Sequence, residues 1–256
     1  HSNKAPLGRT VTAEEVGNVA AFMCSETMQV VLQEKLHTLM LVLISRLCHL
    51  NLTGIKMIKK PYEKYVLPKL LDCCCSTKPI NYQRNKVVPN ASGNVLEIGI
   101  GSGLNLPFYE KSKINNLYGI DPSSELCDMA KKTASDNEID VNLLINGAEE
   151  IELPKDSIDT VVMTYTLCTI PNPTDALKEI KRVMKVDAKM LFCEHGTAPD
   201  KNIIKWQNRI NPIWGKLFGG CNINRDIPNI LKESGFKINT LDQMYLPSTP
   251  KIVGYN

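Results

Sequence analysis

Residues 94–105 read "NVLEIGIGSGLN", an apolar run that ends in three glycines, Gly99, Gly101 and Gly103, spaced two apart. A short apolar run bounded by glycine suits a buried strand, and glycine without a Cβ allows a tight turn with a ligand against the main chain. The dinucleotide fingerprint is G-x-G-x-x-G, with a pyrophosphate at the following helix N-terminus. Here the spacing is G-x-G-x-G, and Glu97 stands two residues before the first glycine. A carboxylate there repels a pyrophosphate and suits a ligand with a cationic amino-acid end. Asp121 closes the next apolar run, "LYGID", eighteen residues after Gly103. At that place a carboxylate accepts both hydroxyls of an adenosine ribose.

The surroundings support a strand–turn–helix setting for this loop. "NVLEI", "NLYGID", "VNLLI", "IDTVVMT" and "KMLFCE" have the pattern of buried strands. Between them, "SSELCDMAKKTASD" and "TDALKEIKRVMK" carry apolar residues at helical spacing, with Ser123 and Thr174 as N-caps. Such alternation implies crossover connections and a mostly parallel, doubly wound sheet. After Glu194, "DKNIIKWQNRINPIWGKLFGG" (200–220) is a helix-rich insertion, "IPNILKESGF" a further helix, and "KINTLDQMYL" with "KIVGYN" a terminal strand pair. A ligand with a ribose, a cationic amino-acid end and no phosphate is S-adenosylmethionine, which is therefore the expected cofactor.

The bulk composition narrows the function classes. The 256 residues are 43% hydrophobic and 22% charged, ordinary for a globular chain with room for a core. A net charge of +3 makes no electrostatic case for nucleic acid. Nine scattered cysteines without a paired framework and without a signal peptide suggest a reducing, cytoplasmic setting. The apolar stretch "LMLVLIS" (39–45) is too short to span a bilayer. An interfacial helix stays open there, but a membrane partner is not expected.

From about Met57 to Asn256 the chain resembles the class I S-adenosylmethionine-dependent methyltransferases. It is most similar to a small bacterial branch akin to the methyltransferase-like 7 (thiol methyltransferase) proteins. The resemblance is carried by "PKLLD", "KPINYQRNKVVP", "VLEIGIGSGLNLPFY", "GIDPS", "DTVVMTYTLCTIP", "FCEHGTAPD", "WQNRINPIWGKLFGGCNINRDIP" and "PKIVGYN". It implies an α/β, Rossmann-like fold: a mostly parallel seven-stranded sheet with one antiparallel strand and helices on both faces. It also implies that Glu97, Gly99, Gly101 and Gly103 cradle the donor's methionine end and that Asp121 holds the ribose beside Pro122 and Ser123. Gly147, Ala148 and Glu149 would lie along the adenine, with Thr164 and Tyr165 closing the site. Relatives carry Pro-Gly-Gly where this chain has Val186, Asp187 and Ala188, and they continue where this chain stops inside its last strand. A stability cost is expected from both departures.

The first 56 residues fall outside this pattern. "TAEEVGNVAAFMCSE" has the periodicity of an amphipathic helix, with Thr12 and Glu15 as a capping box. Residues 3–25 resemble the C-terminal part of bacterial enoyl-acyl-carrier-protein reductases. From Met28 onward, the third base of each codon joined to the first two of the next permits the tail expected in that family. The expectation is thus a frameshifted reductase end over 1–56, with a genuine accessory helical extension as the competing reading, followed by a methyltransferase domain over 57–256. Sequencing the coding DNA around codon 27 tests it, because a shifted frame without that tail removes the idea.

Methyl transfer needs a nucleophile aligned in water-excluded surroundings and a base where a proton must leave. His195, which follows "KMLFCE", and Glu194 are the candidate catalytic residues. A strand-capping role for His195, and for Glu194 an ion pair with Arg209 or Arg225, are the competing readings. Cys193 should point into the sheet core. Cys168 and Cys221 could gather near the site, with core packing favoured. The run Cys73–Cys75 lacks a completing histidine, so no metal is expected. Trp206, Trp214, Leu217 and Phe218 should give the insertion at about 200–220 the apolar inner face of a lid. The expected acceptor is a small, lipophilic molecule: a thiol first, then a lipid amine or quinone-like phenol. "TYTLCTIPNP" does not match the Pro-Pro-aromatic motif of nucleic-acid amino-methyltransferases. A nicotinamide oxidoreductase needs its third glycine one residue later. A non-catalytic donor-binding protein remains the alternative from a different class, and the sequence leaves the oligomeric state open.

Overall fold

The computed structural model describes residues 61–256. The reductase-like stretch, the Thr12–Glu15 capping box, the apolar run at 39–45 and the whole of the expected accessory segment 1–56 lie outside the described residues. The segment 61–75 is helical, with a π-helical turn Tyr62–Val66 running into α1 (Leu67–Cys75). Cys73 is disulfide-bonded, so the reading of unpaired, reduced cysteines does not hold for it.

From α2 (Lys78–Val87) onward the chain builds one sheet with helices on both faces. Its strands are β1 (Gly93–Ile98), β2 (Ile114–Ile120), β3 (Asn142–Leu144), β4 (Ile158–Thr164) and β5 (Met184–Cys193). They lie in the order β3-β2-β1-β4-β5, and every pairing is parallel. The chain winds outward from β1 to β3, then returns to place β4 on β1's other edge. That reversal opens a crevice at the carboxyl ends of β1 and β4, where ligands bind in open α/β sheets.

Both faces of β1 are buried, as a central parallel strand requires. Leu96 and Ile98 pack on one side with Ala176, Leu177, Ile180 and Val183 of α4 (Pro173–Val183) and with Ile227 and Leu231 of α6 (Ile227–Glu233). Val95 packs on the other with Leu117 and with Ala130 and Ala134 of α3 (Ser124–Asp136). Ser123 caps α3, its side chain accepting from the Leu126 amide at 3.2 Å, as its sequence position suggests. The cap of α4 is Asn172 and not Thr174, because Pro173 takes the first helical position and places the cap two residues earlier.

The seven-stranded sheet with an antiparallel member is not what the described residues show. They form five parallel strands, and the terminal segments meet in one isolated antiparallel bridge between Tyr245 and Tyr255. Leu246 and Gly254 add a backbone bond at 2.7 Å, but turns at 247–253 interrupt any ladder. Val186, Asp187 and Ala188 are likewise not a turn. They extend β5 toward its start, with Val186 95% exposed and Lys185 Nζ 2.6 Å from Asp159 Oδ1. The register shifts there, with Ile158 paired to Met184 but Thr160 to Lys189, so these residues form a bulge within the strand.

Candidate active site

The turn after β1 has all three glycines at positive φ: +66° at Gly99, +56° at Gly101 and +82° at Gly103. Two of them show different reasons for being glycine. A Cβ on Gly99 would stand 2.3 Å from the Thr166 side chain, so this glycine lets the loop after β4 approach. A Cβ on Gly101 would find only the Gly99 carbonyl, 3.9 Å away, so its face of the turn is open. The Gly101 amide donates to Asp121 Oδ2 at 3.1 Å, and the Ser123 amide donates to Asp121 Oδ1 at 2.9 Å. Asp121 thus faces the glycine turn from the end of β2. Burial raises its pKa, with those two amides opposing the rise.

Glu97 lies beneath the turn and is 1% exposed. Its Oε1 accepts from Asn105 Nδ2 at 2.9 Å and its Oε2 from the Tyr109 hydroxyl at 2.8 Å. Asn105 Nδ2 also reaches Thr164 Oγ1 at 3.0 Å, and Asn105 Oδ1 accepts from Arg84 Nε at 2.9 Å. Desolvation lifts the Glu97 pKa to about 7, against the pull of Tyr109, Asn105 and Arg84. Both oxygens already serve internal partners, so this carboxylate acts first as the hub that orders the loop. Arg84, Asn105 and Tyr109 were not among the expected site residues. Asn105 ended the motif itself, a polar residue at the close of an apolar–glycine run. Arg84 had no local signal, since only the fold brings α2 to this loop.

The remaining expected donor residues spread along the same edge. Pro122 is exposed beside Asp121, and Thr164 is buried at the end of β4. Ala148 packs in the core near Ile151, while Glu149 Oε1 accepts from the Asn172 amide at 3.3 Å. Tyr165 follows β4 at φ +54°, a backbone conformation seldom held by a bulky side chain outside functional sites. Arg84 sits 5.4 Å above its ring.

On the other side of the crevice, Glu194 is buried with Oε1 accepting from the Thr166 and Leu167 amides at 2.7 and 2.9 Å. The expected ion pair with Arg209 or Arg225 is absent among the described residues. Arg225 instead donates to the carbonyls of Leu167 and Ile170, the latter at 2.7 Å, so an acid and a base grip opposite poles of one loop. Glu194 Oε2 is buried with no partner among the described residues, and desolvation lifts this carboxyl to about 8. His195 lies beside the Tyr165 ring, with centroids 6.3 Å apart. Its Nε2 is 3.3 Å from Cys221 Sγ, which is 3.7 Å from Cys168 Sγ. The contact with Cys221 holds the Cys168 thiol well below its usual range despite burial.

The two cysteines do pack in an apolar cluster with Ile223, Trp214 and Phe218, yet that packing also brings them to the histidine. Cys193 turns away from the core, its Sγ 3.4 Å from the Tyr165 hydroxyl. The insertion is the single helix α5 (Lys201–Leu217). Trp214 and Phe218 stack at 4.0 Å on its inner side, whereas Trp206 is 45% exposed and takes no part in a lid's inner face. Fully buried Gln207 pins α5 by donating to the carbonyls of Gly196, Ile223 and Ile252 and accepting from Ala198.

Known proteins are similar to this chain. A family model described as "Methyltransferase domain" matches residues 96–192, the span from β1 to β5. Thiol S-methyltransferase TMT1B of Rattus norvegicus is 27% identical over 62% of this chain and 68% of its own. The chain is a class I S-adenosylmethionine-dependent methyltransferase. TMT1B of Homo sapiens is 28% identical to the methyltransferase over 76% of this chain and 84% of its own. Among solved structures, the YcgJ protein from Bacillus subtilis superposes with a TM-score of 0.53 at 19% identity, covering 66% of this chain and 72% of its own, a likeness of fold. S-adenosylmethionine is the cofactor. The site fits it: the turn is open at Gly101, and both carboxylates beside it favour a cationic ligand over a phosphate.

Proposed function

We propose that the methyltransferase acts on a small lipophilic thiol. The observation that carries this reading is the set of soft and apolar groups at the carboxyl ends of β4 and β5. Cys168, Cys221, Trp214 and Phe218 converge there with His195, while Thr166 next to them abuts Gly99 of the donor turn. Polar acceptors such as nucleobases need hydrogen-bonding walls, and this wall is mostly sulfur and aromatic carbon. The thiol S-methyltransferase activity for which the TMT1B relatives are named supports the same acceptor class.

When bound, S-adenosylmethionine supplies an electrophilic methyl group on a sulfonium. In this reading Gly99, Gly101 and Gly103 hold its amino-acid end, with Glu97 ordering the turn beneath. Asp121 takes the ribose, flanked by Pro122, while Ala148, Glu149 and Thr164 border the remainder. Glu194 Oε2, the buried oxygen without a partner, receives the thiol proton, and His195 orients the acceptor's sulfur. Trp214 and Phe218 exclude water, which keeps the thiolate a strong nucleophile. The test offers an alkyl thiol, a phenol and an amine at equal concentration and follows methylated products by mass spectrometry. A methyl thioether exceeding the others by about tenfold is expected, a discrimination of about 1.4 kcal/mol. Methylated phenol or amine with the thiol untouched overturns the acceptor, and donor binding without any product favours a non-catalytic protein.

A further inference from the structure

We infer that Cys168, His195 and Cys221 form a binding site for a soft divalent transition metal, zinc by the chemistry of its ligands. The site draws one ligand each from the loop after β4, the end of β5 and the segment after α5, all within the unit 75–256. Their ligand atoms, two Sγ and one imidazole nitrogen, lie within 4.8 Å of one another. Zinc–sulfur and zinc–nitrogen bond lengths place tetrahedral ligands about 3.7 Å apart for two sulfurs and about 3.5 Å for sulfur and nitrogen. The structure has 3.7 Å between Cys221 Sγ and Cys168 Sγ and 3.3 Å between Cys221 Sγ and His195 Nε2. Two of the three edges of a zinc tetrahedron are therefore already set, and a small side-chain movement closes the third.

The supporting groups also suit metal-bound thiolates. Trp214 Nε1 points at Cys221 Sγ from 3.4 Å, and Thr169 Oγ1 is 3.5 Å from Cys168 Sγ. Donors of this kind stabilise charge on coordinated sulfur. Arg225 and Glu194 hold the loop that carries Cys168, so one ligand is positioned before metal arrives. The arrangement does not follow the short Cys-x-x-Cys spacings of structural zinc sites, since the ligands are 27 and 26 residues apart in the sequence. Three protein ligands leave a tetrahedral ion with one open position, as in catalytic and not structural zinc sites.

That fourth position takes the acceptor's sulfur, a step that rests on the thiol reading above. The S–H bond breaks, a metal–sulfur bond forms, and the proton passes to Glu194 Oε2. Coordination lowers the acceptor thiol's pKa and presents a thiolate at neutral pH.

The test is metal content of the full chain, purified without chelator and passed through gel filtration, for wild type and Cys221→Ser. About one equivalent of zinc in wild type and less than about a tenth in the variant is expected for a three-ligand site reduced to two. Cobalt(II) added to chelated wild type should give sulfur-to-metal charge transfer and the ligand-field bands of a tetrahedral ion, both lost in Cys221→Ser. Circular dichroism and donor binding check that the variant is folded, and Cys221→Ala serves if the serine variant is not. A folded wild type that takes up neither ion better than the variant overturns the site, as does a Cys168–Cys221 disulfide found where metal is expected. An alkyl thiol that shifts the cobalt spectrum supports the open position. A bound ion whose spectrum no thiol alters refutes the fourth-ligand role and leaves the metal site standing. Thiol methylation by metal-free protein likewise refutes the fourth-ligand role and leaves both the metal site and the acceptor reading standing.

Discussion

The two banks of the crevice are built on different principles. On the donor side, the loop after β1 and the end of β2 use backbone amides, glycines and carboxylates that lie within 25 residues of one another in the chain, from Glu97 to Asp121. On the acceptor side, the three-residue cluster is collected from positions 168, 195 and 221 and shut by a helix that Gln207 pins. The first side is a local motif closed by a parallel strand pair. The second exists only after β4, β5 and α5 have packed. A shared donor needs one unchanging cradle, and a particular acceptor needs a wall that can vary with loops and insertions.

The sharpest way to break this contrast is at the contact that joins the sides. Gly99→Val puts a branched Cβ at φ +66° into Thr166, which should cost about 4 kcal/mol through strain and overpacking. Thermal denaturation should show a large drop in Tm, and an unchanged Tm would mean that the loops do not meet. Next in size, Trp214→Ala removes the ring stacked on Phe218 and should lower stability by about 3 kcal/mol. Exposed Trp206→Ala should stay within about 0.5 kcal/mol, so chemical denaturation of the pair separates the inner face of α5 from its outer face.

A further contrast concerns protons on the donor side. The Glu97 carboxyl is raised to about 7 by burial, so the folded state keeps a proton that the unfolded state releases near its ordinary pKa of 4.5. The stability contributed by that proton is fully present below about pH 4.5 and is lost as pH rises through about 7. Glu97→Gln should therefore remove a pH slope approaching about one proton between those limits, measured by urea unfolding across pH. Parallel pH profiles for variant and wild type would show that Glu97 loses its proton in the fold at the same pH as in the unfolded chain.

The same division explains what the sequence made legible. "VLEIGIGSGLN" and "GIDPS" reported β1, its turn and the end of β2, because glycine spacing and the adjacent carboxylates record a local conformation and charge. Ser123 was readable as a cap for the same reason. Thr174 was not the cap, since proline at 173 moved the helix start by two residues. The terminal strand pair looked regular in its apolar pattern, but Pro247 and Pro250 limit its ladder to the Tyr245–Tyr255 bridge. Glu194 looked like an ion-pair partner, whereas backbone amides just past the end of the neighbouring strand β4 claim its oxygen. No periodicity could have shown that, nor that Cys221 would meet His195, because such pairings depend on where crossover connections return.

The most direct test of the account is calorimetric titration of S-adenosylmethionine into wild type, Asp121→Ala and Cys221→Ser. Wild type should bind one equivalent, Asp121→Ala should bind about 100-fold more weakly for the loss of charged hydrogen bonds to the ribose, and Cys221→Ser should bind within about twofold of wild type. Undiminished binding by Asp121→Ala, or a loss in Cys221→Ser as large as that in Asp121→Ala, would contradict the separation of donor and acceptor sides.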